Sequence, residues 1–462
     1  MASSFTSSVS ALSSNQLKFL AQVSTAFAVS DEQLSTIISQ LSTELALGLK
    51  HGHKSDLYMN PSFVHTHSTP NSTALSMAIE SSGRRIRISS VTFGADASVA
   101  RSETQVFVTP AANTKSVPRF FDFVAYCIRE FIHTHDLERA ALEEHLPLGF
   151  TLGFPVSDCS TTSSATQKRI ECHVSELTKE DSLDLGGSDV ARKLCDAIRC
   201  NRLPVRVTSV TNNVVSALIA AQHKDKATRV AASFNHGVNA AYYEKLNNVE
   251  KINPARNAQD TDEVAINTEL GRFGSSTGSL PLNMWDRRID RESRNPGRQA
   301  FEKLVADQYL GEIVRNLLTD FMDSHLLFTV NCPAEKISSN YSFYTAYMGS
   351  IMEDESQDLA AVSAIFAAEF GIATTLGDRQ IIRALCEIVA ARASRLSGAA
   401  LAALVLKSNT SASSALVTLS GALQRLSTSV AILISSGLLS MPCLFKNMPS
   451  PLFMFIVVTF SI

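Results

Sequence analysis

The eight cysteines of this 462-residue chain, at positions 127, 159, 172, 195, 200, 332, 386 and 443, include no Cys-x-x-Cys pair. Cys195 and Cys200 are five apart, which suits neither a zinc knuckle nor a redox motif. The thiols therefore read as reduced, intracellular core filler, and no residue is assigned to a metal. Charge of one sign is also missing: 41 Lys and Arg against 44 Asp and Glu give a net charge of −3. No electrostatic footprint for nucleic acid follows from that balance. The first fifteen residues are rich in serine, with neither an Arg-rich face nor a long apolar run, which argues against a secretory signal. The expected compartment is the cytoplasm, with the mitochondrial surface and the nucleus left open. No internal repeat is visible.

What is present is apolar content of 45%, enough at this length for two or three domains with cores of their own. Residues 16–50 alternate apolar and polar positions at helical spacing, and Ser30-Asp31-Glu32 reads as a break and N-cap between two helices. Residues 60–76 read as loop, 86–93 and 104–108 as short strands, and 120–132 as a helix with Phe121, Val124 and Ile128 on one face. Residues 150–156 and 205–210 read as buried strands, and 229–241 and 264–267 continue the strand-rich theme. Long amphipathic helices are predicted over 299–325 and 379–407. Strands alternating with helices indicate an α/β protein with mixed sheets. From Ser408 the composition turns Ser/Thr/Ala-rich, then two apolar runs follow at 430–441 and 452–460. Each is shorter than the ~20 residues a spanning helix needs. A membrane anchor and a divergent, poorly packed terminus are the two readings of this tail.

One stretch is specific. Residues 267–274 read Asn-Thr-Glu-Leu-Gly-Arg-Phe-Gly, residues 288–303 run from Arg-Ile-Asp-Arg to Ala-Phe-Glu-Lys, and residues 309–315 read Tyr-Leu-Gly-Glu-Ile-Val-Arg. Together they resemble the sugar-binding half of the eukaryotic (fungal) hexokinase family. Leu146-Pro147-Leu148-Gly149-Phe150-Thr151-Leu152-Gly153-Phe154-Pro155-Val156 is similar to the family's LPLGFTFSFPV strand, with Gly153 where the family has a sugar-contacting serine. The resemblance covers residues 16–407 and implies one unit of the two-lobed, actin-like ATPase (ribonuclease H-like) fold around a central ligand cleft. On it, 1–15 is a Ser-rich tail, 16–220 the small-lobe region, 221–407 the large-lobe region and 408–462 a divergent apolar tail.

A ring of sugar hydroxyls, each both donor and acceptor, is satisfied by amides, carboxylates and an ammonium acting together. By resemblance those groups are Thr178 and Lys179 (from a remnant of the family's WTKGF), Asn212, Asn239, Glu269 and Glu302. The segment 208–218 aligns with the family's V-N-D-T-V-G-T-L, so Asn213 falls on the catalytic Asp. An amide cannot take the proton of the 6-hydroxyl, and loss of a general base costs ~10²–10⁴ in rate.

The nucleotide elements depart further. The family's first phosphate loop, D-L-G-G-T-N-x-R, is matched by residues 80–87, which keep Gly83, lengthen the acid to Glu80 and put Arg84 and Arg85 at the Thr and Asn, with Arg87 following. The second, G-T-G-T-N-A, is matched by 235–240, with His236 and Gly237 and neither threonine. The family's later D-G-S turn and Gly-rich run find no match after residue 407. The resemblance thus implies a protein that binds glucose or a related hexose, is catalytically impaired, and signals through lobe closure, with a regulatory protein as partner. The alternative is an active ATP-dependent hexose 6-phosphotransferase of glycolysis, using ATP and Mg.

Overall fold

The computed structural model describes residues 12–51, 54–62, 72–79, 84–96, 98–143, 145–153, 156–164, 167–174, 188–251, 263–328, 335–408, 416–420 and 455–458. Helices α1 (Ser14–Phe27) and α2 (Asp31–Lys50) lead into β1 (Asn60–Ser62). A first sheet is built from β2 (Thr73–Ile79), β3 (Arg85–Phe93), β4 (Val99–Val108), β5 (Leu146–Leu152) and, later, β8 (Val205–Asn212). Between these come α3 (Val117–Thr134), α4 (Glu138–Glu143), a separate hairpin of β6 (Val156–Ser164) and β7 (Gln167–Val174), and α5 (Val190–Cys200). Helix α6 (Asn213–Lys224) crosses to a second sheet of β9 (Thr228–Phe234), β10 (Val238–Lys245), β11 (Glu263–Asn267), β12 (Leu416–Ser420) and β13 (Phe455–Val458). The helices α7 (Met284–Glu292), α8 (Ala300–Val305), α9 (Asp307–Asp323), α10 (Glu335–Ser338), α11 (Thr345–Met352), α12 (Ala360–Ile365) and α13 (Leu376–Lys407) lie between β11 and β12.

The two sheets share one topology. The small-lobe order is β4-β3-β2-β5-β8 and the large-lobe order is β1-β11-β10-β9-β12-β13. In each, three strands form an antiparallel meander, a later strand pairs in parallel with the first of them, and a second later strand pairs in parallel with that one; the large-lobe sheet adds β1 at its other edge. The duplication is one of backbone topology, which is why the sequence shows no repeat. It confirms the predicted two-lobed α/β architecture.

Strand periodicity builds the small-lobe core. Leu146, Leu148, Phe150 and Leu152 alternate inward on β5 and meet Phe121, Val124 and Ile128 of α3 and Leu194 of α5. The residues between them, Gly149 and Thr151, face the other side of the sheet. Large-lobe helices pack around α13, whose two faces are both buried and whose start is fixed by a Thr375–Asp378 capping box. By length and composition α13 could cross a membrane, but its apolar residues fill the large-lobe core.

Three boundaries differ from the sequence reading. Helices α1 and α2 form as expected, with capping boxes at Ser13–Gln16 and Ser30–Gln33, but their buried faces join the α13 core. Strand β1 likewise pairs with β11. Residues 14–62 therefore belong to the large lobe rather than to the small-lobe region, and the chain passes between lobes twice. The helix expected over 299–325 is two, because Ala306 adopts an extended ψ of 144° and Asp307 N–H donates to Asn235 O at 3.0 Å. Part of the apolar tail, finally, is strand: residues 416–420 pair in parallel with β9 and with 455–458, so the large-lobe sheet takes two strands from it.

Candidate functional site

Asn212 ends β8 and is also the N-cap of α6, its Oδ1 accepting the Val214 N–H at 3.0 Å. Strand geometry thus delivers this amide to the cleft edge of the small lobe, and the helix cap holds it there. Across the cleft, Asn239 stands near the start of β10. Its Nδ2 donates to Asn212 Oδ1 at 3.3 Å, to Asn267 Oδ1 at 2.8 Å and to Glu269 Oε1 at 3.3 Å. Its Oδ1 accepts the N–H groups of Ala240 at 2.8 Å and Glu269 at 2.9 Å. Asn239 is the hub of a cluster drawn from both lobes.

The chain enters this cluster through an unusual backbone state. Glu269 has φ 56° and ψ 48°, the left-handed region that a side chain with a Cβ seldom occupies. Such strain persists only where surroundings over-determine it, and it gathers at binding sites. Here the Asn239 carbonyl grips the Glu269 N–H, while Asn267 Nδ2 donates to Glu269 Oε1 at 3.0 Å. A Cβ on Gly271, two residues on, would lie 2.8 Å from Val238 O and 3.1 Å from Glu302 Cβ, so only glycine admits the close approach of this turn to β10 and α8.

Glu302 arrives from α8, and the loop before α8 explains why. Asp290 accepts the Gly297 N–H at 3.0 Å, and Lys303 Nζ donates to Asp290 Oδ1 at 2.6 Å and to Asn295 O at 2.8 Å. Burial pushes the Lys303 ammonium below its ordinary range, with the Asp290 carboxylate pulling the other way. The clasp fixes the turn so that Glu302, 4% exposed, directs Oε2 to the Val238 N–H at 2.9 Å, next to Asn239. Gln299, also buried, carries an Oε1 with no hydrogen-bond partner in the structure.

Four of the six sugar residues expected from sequence, Asn212, Asn239, Glu269 and Glu302, therefore come together. Thr178 and Lys179 lie outside the described residues, as do Glu80 and Gly83. Asn213 is the first residue of α6, exposed and adjacent to the cluster. The two phosphate-loop segments occupy equivalent places, the first hairpin of each sheet. On the β2–β3 hairpin the last pair is Ile79–Ile86, and Arg84 and Arg87 are exposed beyond and beside it. On the β9–β10 hairpin, Asn235 N–H is spent on Gly237 O at 3.1 Å and His236 is exposed. Asn267 and Gln299 are additions that the sequence reading missed. The signal for Asn267 was available, since it closes a strand two residues before Glu269.

Two family models, both described as hexokinase, match residues 19–223 and 229–441. The second match extends past residue 407, the end of the resemblance read from the motifs, to residue 441. Hexokinase-2 of Candida albicans is 30% identical over 395 residues, covering 85% of this chain and 79% of that protein. Hexokinase-2 of Saccharomyces cerevisiae is 31% identical over 386 residues, covering 82% and 77%. Among solved structures, the hexokinase of Schistosoma mansoni complexed with glucose superposes with a TM-score of 0.82 at 24% identity, covering 96% of each chain. With four of the expected site residues gathered from two lobes of duplicated topology, and with relatives matching along most of its length, this chain belongs to the hexokinase family.

Proposed function

We propose that the cleft binds glucose or a related hexose, that phosphoryl transfer is impaired, and that the protein acts as a sugar-responsive regulator. One observation carries the sugar reading: Asn212 of the small lobe and Asn239 of the large lobe share a hydrogen bond at 3.3 Å, beside Glu269 and Glu302. That set offers both donors and acceptors to vicinal hydroxyls and draws on both lobes, so a bound sugar ties them together. The relatives' names, and the glucose in the Schistosoma mansoni structure, support the same ligand.

Impairment is supported by chemistry at three places. Asn213 replaces a proton acceptor with an amide, which orients a hydroxyl without deprotonating it. The described part of the first phosphate hairpin presents bulky, exposed Arg84 and Arg87, and the second has lost both hydroxyls. These residues do not fit the close backbone cradle that ATP and Mg require.

Calorimetry with glucose and a coupled assay for glucose 6-phosphate test the reading together. Glucose at a hundredfold excess over its dissociation constant should stabilise the protein by ~2.7 kcal/mol. Turnover should fall at least ~10²-fold below the ~10 s⁻¹ typical of enzymes. Asn213→Asp should recover turnover only when the 80–87 loop is restored as well. Absence of heat and of thermal stabilisation sinks the sugar reading; wild-type turnover near ordinary rates sinks the impairment.

A further inference from the structure

Helix α6 touches both sheets, and its two sides are chemically unlike. Toward the large lobe, Val214, Val215 and Leu218 pack on Ala231, Ala241 and Ala265, whose small side chains let the helix lie close to the sheet. Toward the small lobe the first turn of α6 makes its contact through hydroxyls, while His223 near its end meets the ring of Phe93. Ser216 Oγ shares a hydrogen bond with Thr151 Oγ1 at 2.8 Å and another with Thr211 Oγ1 at 2.5 Å. Thr151 belongs to β5, Thr211 to β8, and Ser216 to the first turn of α6. Thr211 is 5% exposed, so its hydroxyl has little access to water as a substitute partner.

From this geometry we infer that Ser216 is a positioning residue: it clamps the first turn of α6 to β5 and β8 and thereby sets the place of Asn212. The residue it fixes on β8, Thr211, immediately precedes Asn212, and Asn212 is the cap of the turn that carries Ser216. One hydroxyl therefore ties two strands and a helix start at the point where the cleft amide emerges. The apolar side of α6 packs on the large-lobe sheet, so the helix that carries the clamp also relates Asn212 to Asn239 across the cleft. A preorganised amide pair costs a ligand less ordering on binding. The hydroxyl of Ser216 acts on Asn212 through Thr211 and the helix start, which separates its role from that of the cleft amides.

The consequence for sugar rests on the hexose reading above, so two measurements are paired. Hydrogen exchange on the sugar-free protein reads the clamp directly. Ser216→Ala should speed exchange in the first turn of α6 and at the ends of β5 and β8 by about tenfold or more, with α13 unchanged. Ser216→Thr, which keeps the hydroxyl, should restore protection. Equal exchange in Ser216→Ala and wild type overturns the clamp whether or not glucose binds. Calorimetry then reads the consequence: Ser216→Ala should weaken glucose binding about threefold to tenfold, the size expected when a network residue beyond the ligand is changed. Thr151→Val, which removes one hydroxyl at constant shape, should weaken it as well, and the double variant should bind no worse than Ser216→Ala alone. Wild-type binding with an unaffected Ser216→Ala, or additive losses in the double variant, refutes the link to Asn212. A wild type that fails to bind glucose refutes the hexose reading and leaves hydrogen exchange to decide the clamp.

Discussion

Replacing Asn239 with Asp exchanges one NH₂ for one oxygen and alters nothing else in shape. The amide nitrogen now faces three acceptors: Asn212 Oδ1 at 3.3 Å, Asn267 Oδ1 at 2.8 Å and Glu269 Oε1 at 3.3 Å. A carboxylate there loses three donations, each worth about 1 kcal/mol net. It also sets two negative charges roughly 3.3 Å apart, an unscreened repulsion near 5 kcal/mol at an effective dielectric of 20. Asn239 is half-buried, so water and small displacements relieve part of this, and the net expectation is a loss of about 3–5 kcal/mol at pH 8. The sign of the pH dependence follows. Repulsion raises the folded-state pKa of the pair, so the folded protein holds a proton that the unfolded chain has released. The destabilisation is full above that raised pKa and fades as pH falls through it. Urea unfolding at pH 5 and pH 8 should show the variant recovering much of its deficit at the lower pH while wild type changes little. Equal stability of variant and wild type at both pH values would mean that the nitrogen of Asn239 does not point at Glu269, and the cluster as described would be wrong.

Two further expectations concern the frame around the cleft. Arg392 and Asp286 form a bidentate pair at 2.7 and 2.8 Å, 1% and 2% exposed, beneath the ring of Phe27; Asp286→Asn should cost about 3–5 kcal/mol in thermal or urea unfolding, whereas Asp286→Leu with Arg392→Met should recover most of it. A Cβ at Gly311 would sit 2.2 Å from Phe343 O and 2.7 Å from Thr345 N, both backbone atoms, so Gly311→Ala should lower stability by at least about 1–3 kcal/mol and separate α9 from α11, with unchanged stability contradicting the packing.

The residues most legible in the sequence turn out to serve two different ends. In the motif around Gly311, Glu312 and Arg315 form a buried pair that also receives the Tyr341 N–H at 2.6 Å, so this part of the family signature holds α9 to the chain that follows it. Asn239, Glu269 and Glu302 were identifiable because their order and spacing match a family, and the cleft does assemble them. Lobe membership was not legible. Helices α1 and α2 read correctly as amphipathic helices, yet an apolar stripe does not say which core will cover it. Strand β2 overlaps the stretch expected as loop over 73–76: Leu75, Met77 and Ile79 alternate inward, but the small Ala74 and Ala78 weaken the contrast between its two faces. The break at Ala306 is imposed by a tertiary hydrogen bond from Asp307 to the β9–β10 hairpin, which no local propensity records. The second sheet's repeat of the first was hidden because topology survives where side chains differ.

The partnership of α1 and α2 with α13 has a temporal side. More than three hundred residues separate Lys50 from Leu376, so on the ribosome the first two helices emerge long before the helix that covers them. At translation rates of about 5–20 residues per second, their apolar faces stay uncovered for on the order of 20–60 s. The small lobe, whose strands lie between, has its full complement by Asn212 and can mature in the meantime. During synthesis the apolar faces of residues 14–50 are thus exposed while the middle of the fold matures, which makes this segment the stretch most prone to premature association.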